Sequence, residues 1–274
     1  MSISLKSIKG GQRMLAPKIV VYGVGGIGKT TFAASAPSPV FIFTEDGQGA
    51  LDVQRFEFGE SAIARSWKDI LDSVGALYSE DHGYQTLVID SIDFAEPMLW
   101  EHTCKLHNQK DIEAFGYGKG YTAATDQARQ LLAGLDALRN ARGMSIILIA
   151  HSEAKKFEDP ESPAYDQYQL RLHRGFAGLV HDWSDALLFA NYKTVVVGED
   201  EGFKKERKRG VGRGARTLYT ERRPAFWAKN RYSLPPEIPM SWESFQQNIG
   251  ASMAPNVQPD ALPDETENKE NSNG

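Results

Sequence analysis

The sequence predicts an α/β fold: a central, mostly parallel sheet flanked by helices, with an antiparallel extension towards the C-terminus. Three observations carry this. Short apolar runs recur at residues 18–22, 40–43, 86–90 and 145–150, and uninterrupted apolar runs of that length are what parallel strands buried on both faces require. Stretches of helical periodicity separate them, so consecutive strands are joined by right-handed crossovers that cover the sheet. Beyond residue 185 the apolar segments become closely spaced, at 186–189, 194–197, 217–219 and 225–227, which is antiparallel spacing.

Taken in order, residues 1–17 contain Gly10-Gly11 and little periodicity, and read as a flexible arm. Ile19, Val20, Val21 and Tyr22 make the first strand. A helix then starts at Thr30 and is closed by Pro37. Strand 40–43 ends at Thr44-Glu45-Asp46-Gly47. Trp67, Ile70, Leu71, Val74 and Leu77 fall on one helical face. After strand 86–90, residues 94–107 are helical, then a Gly/Tyr stretch leads into a helix over 122–141. Leu131, Leu132, Leu135 and Leu138 line one side of that helix and Gly143 stops it. Strand 145–150 ends at His151. Pro235, Pro236 and Pro239 close the antiparallel region, and residues 240–249 form a last helix. From Gly250 the composition turns to Pro, Asn, Asp and Glu, a signature of disorder. The expected organisation is an arm (1–17), one core (18–249) and an acidic tail (250–274).

The 274 residues are 41% hydrophobic and 24% charged, as in a globular domain with appendages. A single cysteine, Cys104, excludes an internal disulfide framework. No run of 18 apolar residues exists and the first 17 residues lack an apolar core. Neither a membrane span nor a secretory signal is therefore expected, and a cytoplasmic location is. The net charge of −5 hides an asymmetry. Residues 203–231 carry eleven Lys/Arg against two Glu, whereas residues 250–274 carry five acids and one Lys.

The most informative stretch is Gly23-Val24-Gly25-Gly26-Ile27-Gly28-Lys29-Thr30, which reads G-x-x-x-x-G-K-[ST] between a strand and a helix start. That is the phosphate-binding loop of P-loop NTPases. Its glycines let backbone N–H groups curl around phosphate oxygens. Residues 23–31, ending in Thr31, are the expected nucleotide cradle. Lys29 is expected to reach the β- and γ-phosphates of ATP, and the Thr30 hydroxyl to hold Mg²⁺. Asp90 ends an apolar strand 60 residues after Thr30 and supplies the second Mg²⁺ contact. Glu45 is the expected water-orienting carboxylate, with Asp46 as the competing choice; a solvated acid at a strand end is the plainer reading of either. His151 is placed either to sense the γ-phosphate or simply to cap its strand.

Further motifs resemble a known group. Phe41-Ile42-Phe43-Thr44-Glu45 with Ala50-Leu51-Asp52 resembles the catalytic-glutamate strand of RecA-family ATPases, and Leu87-Val88-Ile89-Asp90-Ser91 resembles their Walker B. Lys229-Asn230-Arg231-Tyr232 resembles the Lys-Asn-Arg-aromatic motif of the RadA/Sms branch. Over residues 17–249 the pattern resembles phage-encoded RecA-like ATP-binding proteins, core-only recombinases of the single-strand-annealing group. The resemblance implies a RecA-like core that hydrolyses ATP in a ring or filament of identical chains. It makes Lys229 and Arg231 fingers for the neighbouring subunit's nucleotide. It also implies single-stranded DNA and a single-strand-binding protein as partners, in the host cytoplasm. The sequence departs from the group at His151, where a polar amide is usual, and at Ser233, where a glycine is usual.

Lys204, Lys205, Arg207, Lys208, Arg209, Arg213 and Arg216 are the candidate DNA-binding residues. Their segment is too glycine-rich and charged to expect a packed element, and reads as a basic hairpin tip that neutralises phosphates. Residues 153–175 add Lys155, Lys156, Arg171, His173 and Arg174, with Tyr165 and Tyr168 as stacking candidates. A solvated loop is the alternative for both. His102, Cys104 and His107 lack the second pair of a structural zinc site and read as a helix face. A nucleotide-switched regulatory ATPase without a DNA role, and a small-molecule kinase, are the competing functional classes.

Overall fold

The computed structural model describes residues 4–10, 15–160, 163–201 and 205–253. The expectation of a disordered tail falls on residues 250–274: residues 250–253 instead continue the last helix, and 254–274 lie outside the described residues, as do residues 1–3 and 11–14 of the arm. Strand β1 (Lys18–Gly23) is followed by the phosphate loop and the short helix α1 (Lys29–Ala34). Then come β2 (Pro39–Phe43), β3 (Gln54–Arg55), α2 (Trp67–Ser79), β4 (Thr86–Asp90), α3 (Ile92–Leu106), α4 (Lys119–Arg142) and β5 (Ser145–Phe157). The chain continues through β6 (Tyr165–Leu170), α5 (Arg174–Trp183), β7 (Ala186–Glu201), β8 (Lys205–Tyr219), β9 (Lys229–Asn230), β10 (Glu237–Pro239) and α6 (Trp242–Met253).

The strands form one sheet in the order β10-β8-β7-β1-β5-β4-β2-β3. From β7 to β3 every pairing is parallel, and β8 and β10 add antiparallel strands at the far side. This is the mostly parallel sheet with a C-terminal antiparallel extension expected from the sequence, with β5 inserted between the phosphate-loop strand and the strand that ends in Asp90. Alternate residues of each central strand enter two cores, as a period of two demands. Val20, Ile42, Leu87 and Leu148 meet Trp67, Ile70, Leu131 and Leu135 of α2 and α4. Val21, Phe41, Val88 and Ile147 meet Phe32 of α1 and Trp242 and Phe245 of α6. The phosphate loop, Thr44 and Ser91 all follow carboxyl ends of parallel strands, where open α/β sheets hold ligands.

Local chemistry accounts for the helix starts. Ser66 caps α2 through a capping box with Asp69. Gly143, at φ +67°, ends α4 as expected.

Several elements differ from the sequence reading. His151 does not end its strand: β5 runs on to Phe157, because beyond His151 it exchanges its parallel neighbours for an antiparallel one, β6. Residues 225–227 form isolated bridges rather than a strand, and the paired residues there are Lys229 and Asn230. The basic segment is not a bare tip. Its described residues from Lys205 onward belong to β8, paired with β7 from Glu201↔Lys205 to Phe189↔Tyr219. Backbone pairing in a two-stranded ribbon asks for no side-chain burial, so charge and glycine do not prevent it. Lys204 lies outside the described residues.

Glu96 of α3 is buried and accepts the His173 backbone N–H on both carboxylate oxygens. Burial pushes its carboxyl up to about 7 from an ordinary 4.5, the His173 hydrogen bond opposing and the Asp93 charge adding to it. Because the folded pKa is raised, the associated stability is fully present below pH 4.5 and is lost as the pH rises through about 7. Glu96→Gln removes this titration. The variant's melting temperature relative to the parent should therefore rise by a few degrees between pH 5 and pH 8. Thermal melts across that range check it; a difference that is constant with pH would contradict the assignment.

Candidate nucleotide site

The loop Gly23–Gly28 turns around the carboxyl edge of β1, and at Gly23 and Gly28 the need for glycine has a visible cause. A Cβ on Gly23 would lie 2.1 Å from the Ala190 carbonyl oxygen of β7, so strand and loop can approach only with glycine there. Gly28, the residue before α1, holds φ at +102°, open to glycine at little cost. Ile27 points away from the loop, fully buried in the core beside Phe32. Its side chain therefore anchors the loop, and only its backbone is left to face a ligand.

Beside the loop lies a cavity of about 320 Å³. Of the residues the sequence singled out, Gly26, Gly28, Lys29, Thr30, Thr31, Glu45, Asp90 and His151 all line it. Gly47, Gln48 and Leu51 complete the lining and were not foreseen. They sit in an irregular loop after β2, where no periodicity marks a ligand-facing residue. Asp46 is not among the lining residues.

Lys29 is buried, and its ammonium donates to the carbonyls of Gly23 and Val24 at 3.2 and 3.1 Å. Desolvation lowers its pKa, with the charges of Asp90, Asp93 and Glu45 opposing. The Thr30 hydroxyl donates to Asp90 Oδ2 at 2.7 Å. Asp90 is 3% exposed. Burial pushes its carboxyl up to about 6, the Thr30 hydrogen bond pulling the other way. A hydroxyl and a nearly dry carboxylate in contact are a hard-oxygen pair, and such donors suit Mg²⁺. These two residues would hold it.

Glu45 is fixed by its neighbours. The Thr44 backbone N–H donates to the Asp90 carbonyl at 2.8 Å, and the Thr44 hydroxyl donates to the Ser91 carbonyl at 2.6 Å. The Ser91 hydroxyl in turn donates to Glu45 Oε1 at 2.5 Å. His151 Nδ1 lies 3.8 Å from the same oxygen and 3.1 Å from Asp93 Oδ2. Asp93 also accepts the His151 backbone N–H (3.0 Å) and the Arg171 guanidinium through Nε and Nη2 (2.9 and 2.5 Å). Burial alone would raise the Asp93 carboxyl, but the hydrogen bonds from His151 and Arg171 outweigh it and hold the carboxyl below its ordinary range. Asp93 and its partners are thus the scaffold behind Glu45 and His151. Sequence reasoning missed Asp93; only the cross-sheet register brings it to His151.

Other expected site residues lie elsewhere. Lys229 and Arg231 are at the opposite, amino-terminal edge of the sheet. Lys229 Nζ donates to the His181 and Asp182 carbonyls at the end of α5, and Arg231 pairs with Asp185 at 3.3 Å. In the 153–175 region Arg171 is taken by Asp93. Lys155 pairs with Glu153 at 2.7 Å, His173 stacks on Tyr121 and Tyr168 on Phe189. Lys205, Arg207, Lys208, Arg209 and Arg213 are on β8. Arg216, grouped with them by sequence, instead has its guanidinium beside Gly28. Cys104 is buried on α3, with His102 on the same helix and His107 at its end. Among the described residues no three His, Cys, Asp or Glu side chains are grouped so as to hold a metal ion among themselves, and no helix is long and apolar enough to cross a membrane.

No curated protein matches the chain. Among solved structures, one described as "Crystal structure of the RadB recombinase" is similar at 14% identity, covering 84% of this chain and 90% of that one, with a TM-score of 0.44. The AAA domain family matches residues 15–232, which span β1 to β9 and every residue of the cavity. The chain therefore belongs to the AAA domain family.

Proposed function

We propose that this protein is a Mg²⁺-dependent ATPase that assembles with further copies of itself and acts on single-stranded DNA. The observation that carries the ATPase reading is convergence. Lys29, Thr30, Asp90 and Glu45 come from three elements and meet in one cavity, with Glu45 locked by Ser91. Lys29 and the loop backbone bind and orient the polyphosphate. Mg²⁺, when bound, neutralises charge that builds up on the phosphate oxygens. Glu45 orients a water and accepts its proton, and the Ser91 hydroxyl keeps the accepting oxygen in place. Lys29→Ala should lower phosphate release at least a hundredfold. Glu45→Gln should lower turnover as far while leaving ATP affinity within about threefold. Calorimetric binding and phosphate-release assays on both variants check this; a Glu45→Gln chain that keeps a tenth of the parental turnover removes Glu45 from the role.

The DNA reading is supported by the ribbon formed by β7 and β8. Its pairing to β1 ends at Gly23↔Ala190, and Asn191 to Glu201 pair only with β8. The ribbon therefore extends past the sheet edge that holds the phosphate loop, by roughly 35 Å at strand rise. Lys205, Arg207, Lys208, Arg209 and Arg213 lie along it. Such a basic arm suits a backbone-tracking contact to single-stranded nucleic acid. Replacing Lys205, Arg207, Lys208 and Arg209 by Ala should weaken binding to a single-stranded oligonucleotide more than tenfold at low salt. The slope of log affinity against log salt should flatten by about 3. Unchanged retention and slope would favour a nucleotide-switched regulatory ATPase without a DNA role. Work on phage recombination or replication intermediates in the host cytoplasm, alongside a single-strand-binding protein, is the setting this reading fits.

Self-assembly is supported by the position of Lys229 and Arg231, far from their own chain's cavity. We assign them to a neighbour's nucleotide, where Arg231 exchanges Asp185 for phosphate oxygens. If so, Arg231→Ala chains, inactive alone, should regain part of their turnover when mixed with Lys29→Ala chains, because loop and finger then come from different subunits. A mixing series that shows no recovery at any ratio contradicts action between subunits.

A further inference from the structure

Arg216 stands apart from the rest of the basic run. It sits where β8 crosses the carboxyl edge of the sheet, its carbonyl accepting the Met240 backbone N–H at 3.1 Å. Leu218, two residues on and so on the same face of the strand, is buried with Ile27 and Phe32 of the α1 side. Arg216 therefore faces the side of the sheet that carries the phosphate loop. The contact is close: a Cβ built on Gly28 would lie 2.5 Å from Arg216 Nη1. No side chain separates the guanidinium from the loop backbone just before Lys29.

Two further facts define what this cation can do. Arg216 is exposed, and among the described residues no carboxylate pairs with it. β8 lies on one side of the phosphate-loop strand, whereas β5, β4 and β2, which lead to His151, Asp90 and Glu45, lie on the other, so Arg216 is on the opposite flank of the loop from those groups. A guanidinium beside a loop that already carries Lys29 adds to the positive potential there, which favours an anion over a neutral ligand. Tyr192, its direct cross-strand partner, is on the same face and 42% exposed.

We propose that Arg216 is a nucleotide-binding residue that acts in cis. It donates to the phosphate chain from the nucleoside side of the loop, where Tyr192 borders the same space. A planar guanidinium suits two parallel hydrogen bonds to phosphate oxygens. The ligand class is a nucleoside di- or triphosphate, because the γ-phosphate belongs to the opposite flank with Glu45. This inference rests on the reading of the loop as a nucleotide site. It removes Arg216 from the DNA-binding set and makes β8 one continuous strand from the nucleotide to the basic ribbon.

The test is a titration of the full chain with ADP and with ATP, each with Mg²⁺, for the parent, Arg216→Ala, Arg216→Lys and Lys29→Ala. Arg216→Ala should weaken ADP and ATP by about the same factor, tenfold or more, as expected for a lost charge-assisted hydrogen bond. Arg216→Lys should recover part of that, and nucleotide-free melting temperatures should stay together. ADP affinity of Arg216→Ala within twofold of the parent overturns the assignment, as does a loss confined to ATP, which would put the arginine on the γ-phosphate flank. A parent that binds neither nucleotide, indistinguishable from Lys29→Ala, instead overturns the nucleotide reading on which the assignment rests.

Discussion

Lys29 and Asp90 are opposite charges that the fold keeps almost dry, and much of the site's geometry follows from that. Taking either out of water is costly unless its hydrogen-bonding capacity is met. Lys29 meets it by folding back onto the carbonyls of Gly23 and Val24, and Asp90 by accepting the Thr30 hydroxyl. Neither arrangement is complete: burial still lowers the Lys29 pKa and raises that of Asp90. A ligand that brings negative oxygens to the first and a divalent cation to the second relieves both shifts at once. The electrostatics of the protein alone thus describe the charge pattern of a metal–polyphosphate complex.

The parts legible in the sequence are those governed by local rules. Apolar runs such as 86–90 had to be strands covered on both faces, and the glycine spacing of residues 23–30 between a strand and a helix start marks a tight loop at the carboxyl edge of the sheet. Asp90 and Glu45 followed because the ends of parallel strands converge. The illegible parts depend on register between distant segments. Asp93 looks like an ordinary acid in the first turn of a helix, yet it joins α3 to β5 and to Arg171. Arg216 looked like one more charge in a basic run. Its neighbours in sequence are bound for a ribbon, while its own position is set by pairing to Tyr192 and by the Met240 backbone. His151 was misjudged for a related reason: a strand that changes partners leaves no mark in its hydrophobicity.

The two ends of the sheet have different electrostatic tasks. At the amino end, Asp185 is 10% exposed at its side chain and accepts from Arg139 at 2.8 Å, from Tyr232 at 3.1 Å and from Arg231. With Arg139 and Tyr232 already in place, Asp185 does not depend on Arg231, whose side chain is 55% exposed. A half-exposed guanidinium sharing a satisfied carboxylate loses little by leaving it, since ion pairs open to solvent contribute little. Lys229 is held differently, by two backbone carbonyls at the end of α5. Of the two residues, Arg231 is the one free to move towards another molecule.

The flanks of the phosphate loop also differ in kind. On the Glu45 side the groups are tied by charged hydrogen bonds that pass from Ser91 to Glu45 and from His151 through Asp93 to Arg171. Such a network fixes angles as well as distances, which is what the role proposed for Glu45 asks of it. On the β7–β8 side the loop is joined to the sheet by the backbone pairing that ends at Gly23↔Ala190, and beyond it Gly28 faces the Arg216 guanidinium. Any influence of the β7–β8 ribbon on the loop passes through that pairing and that side chain, a route separate from the charged network that holds Glu45.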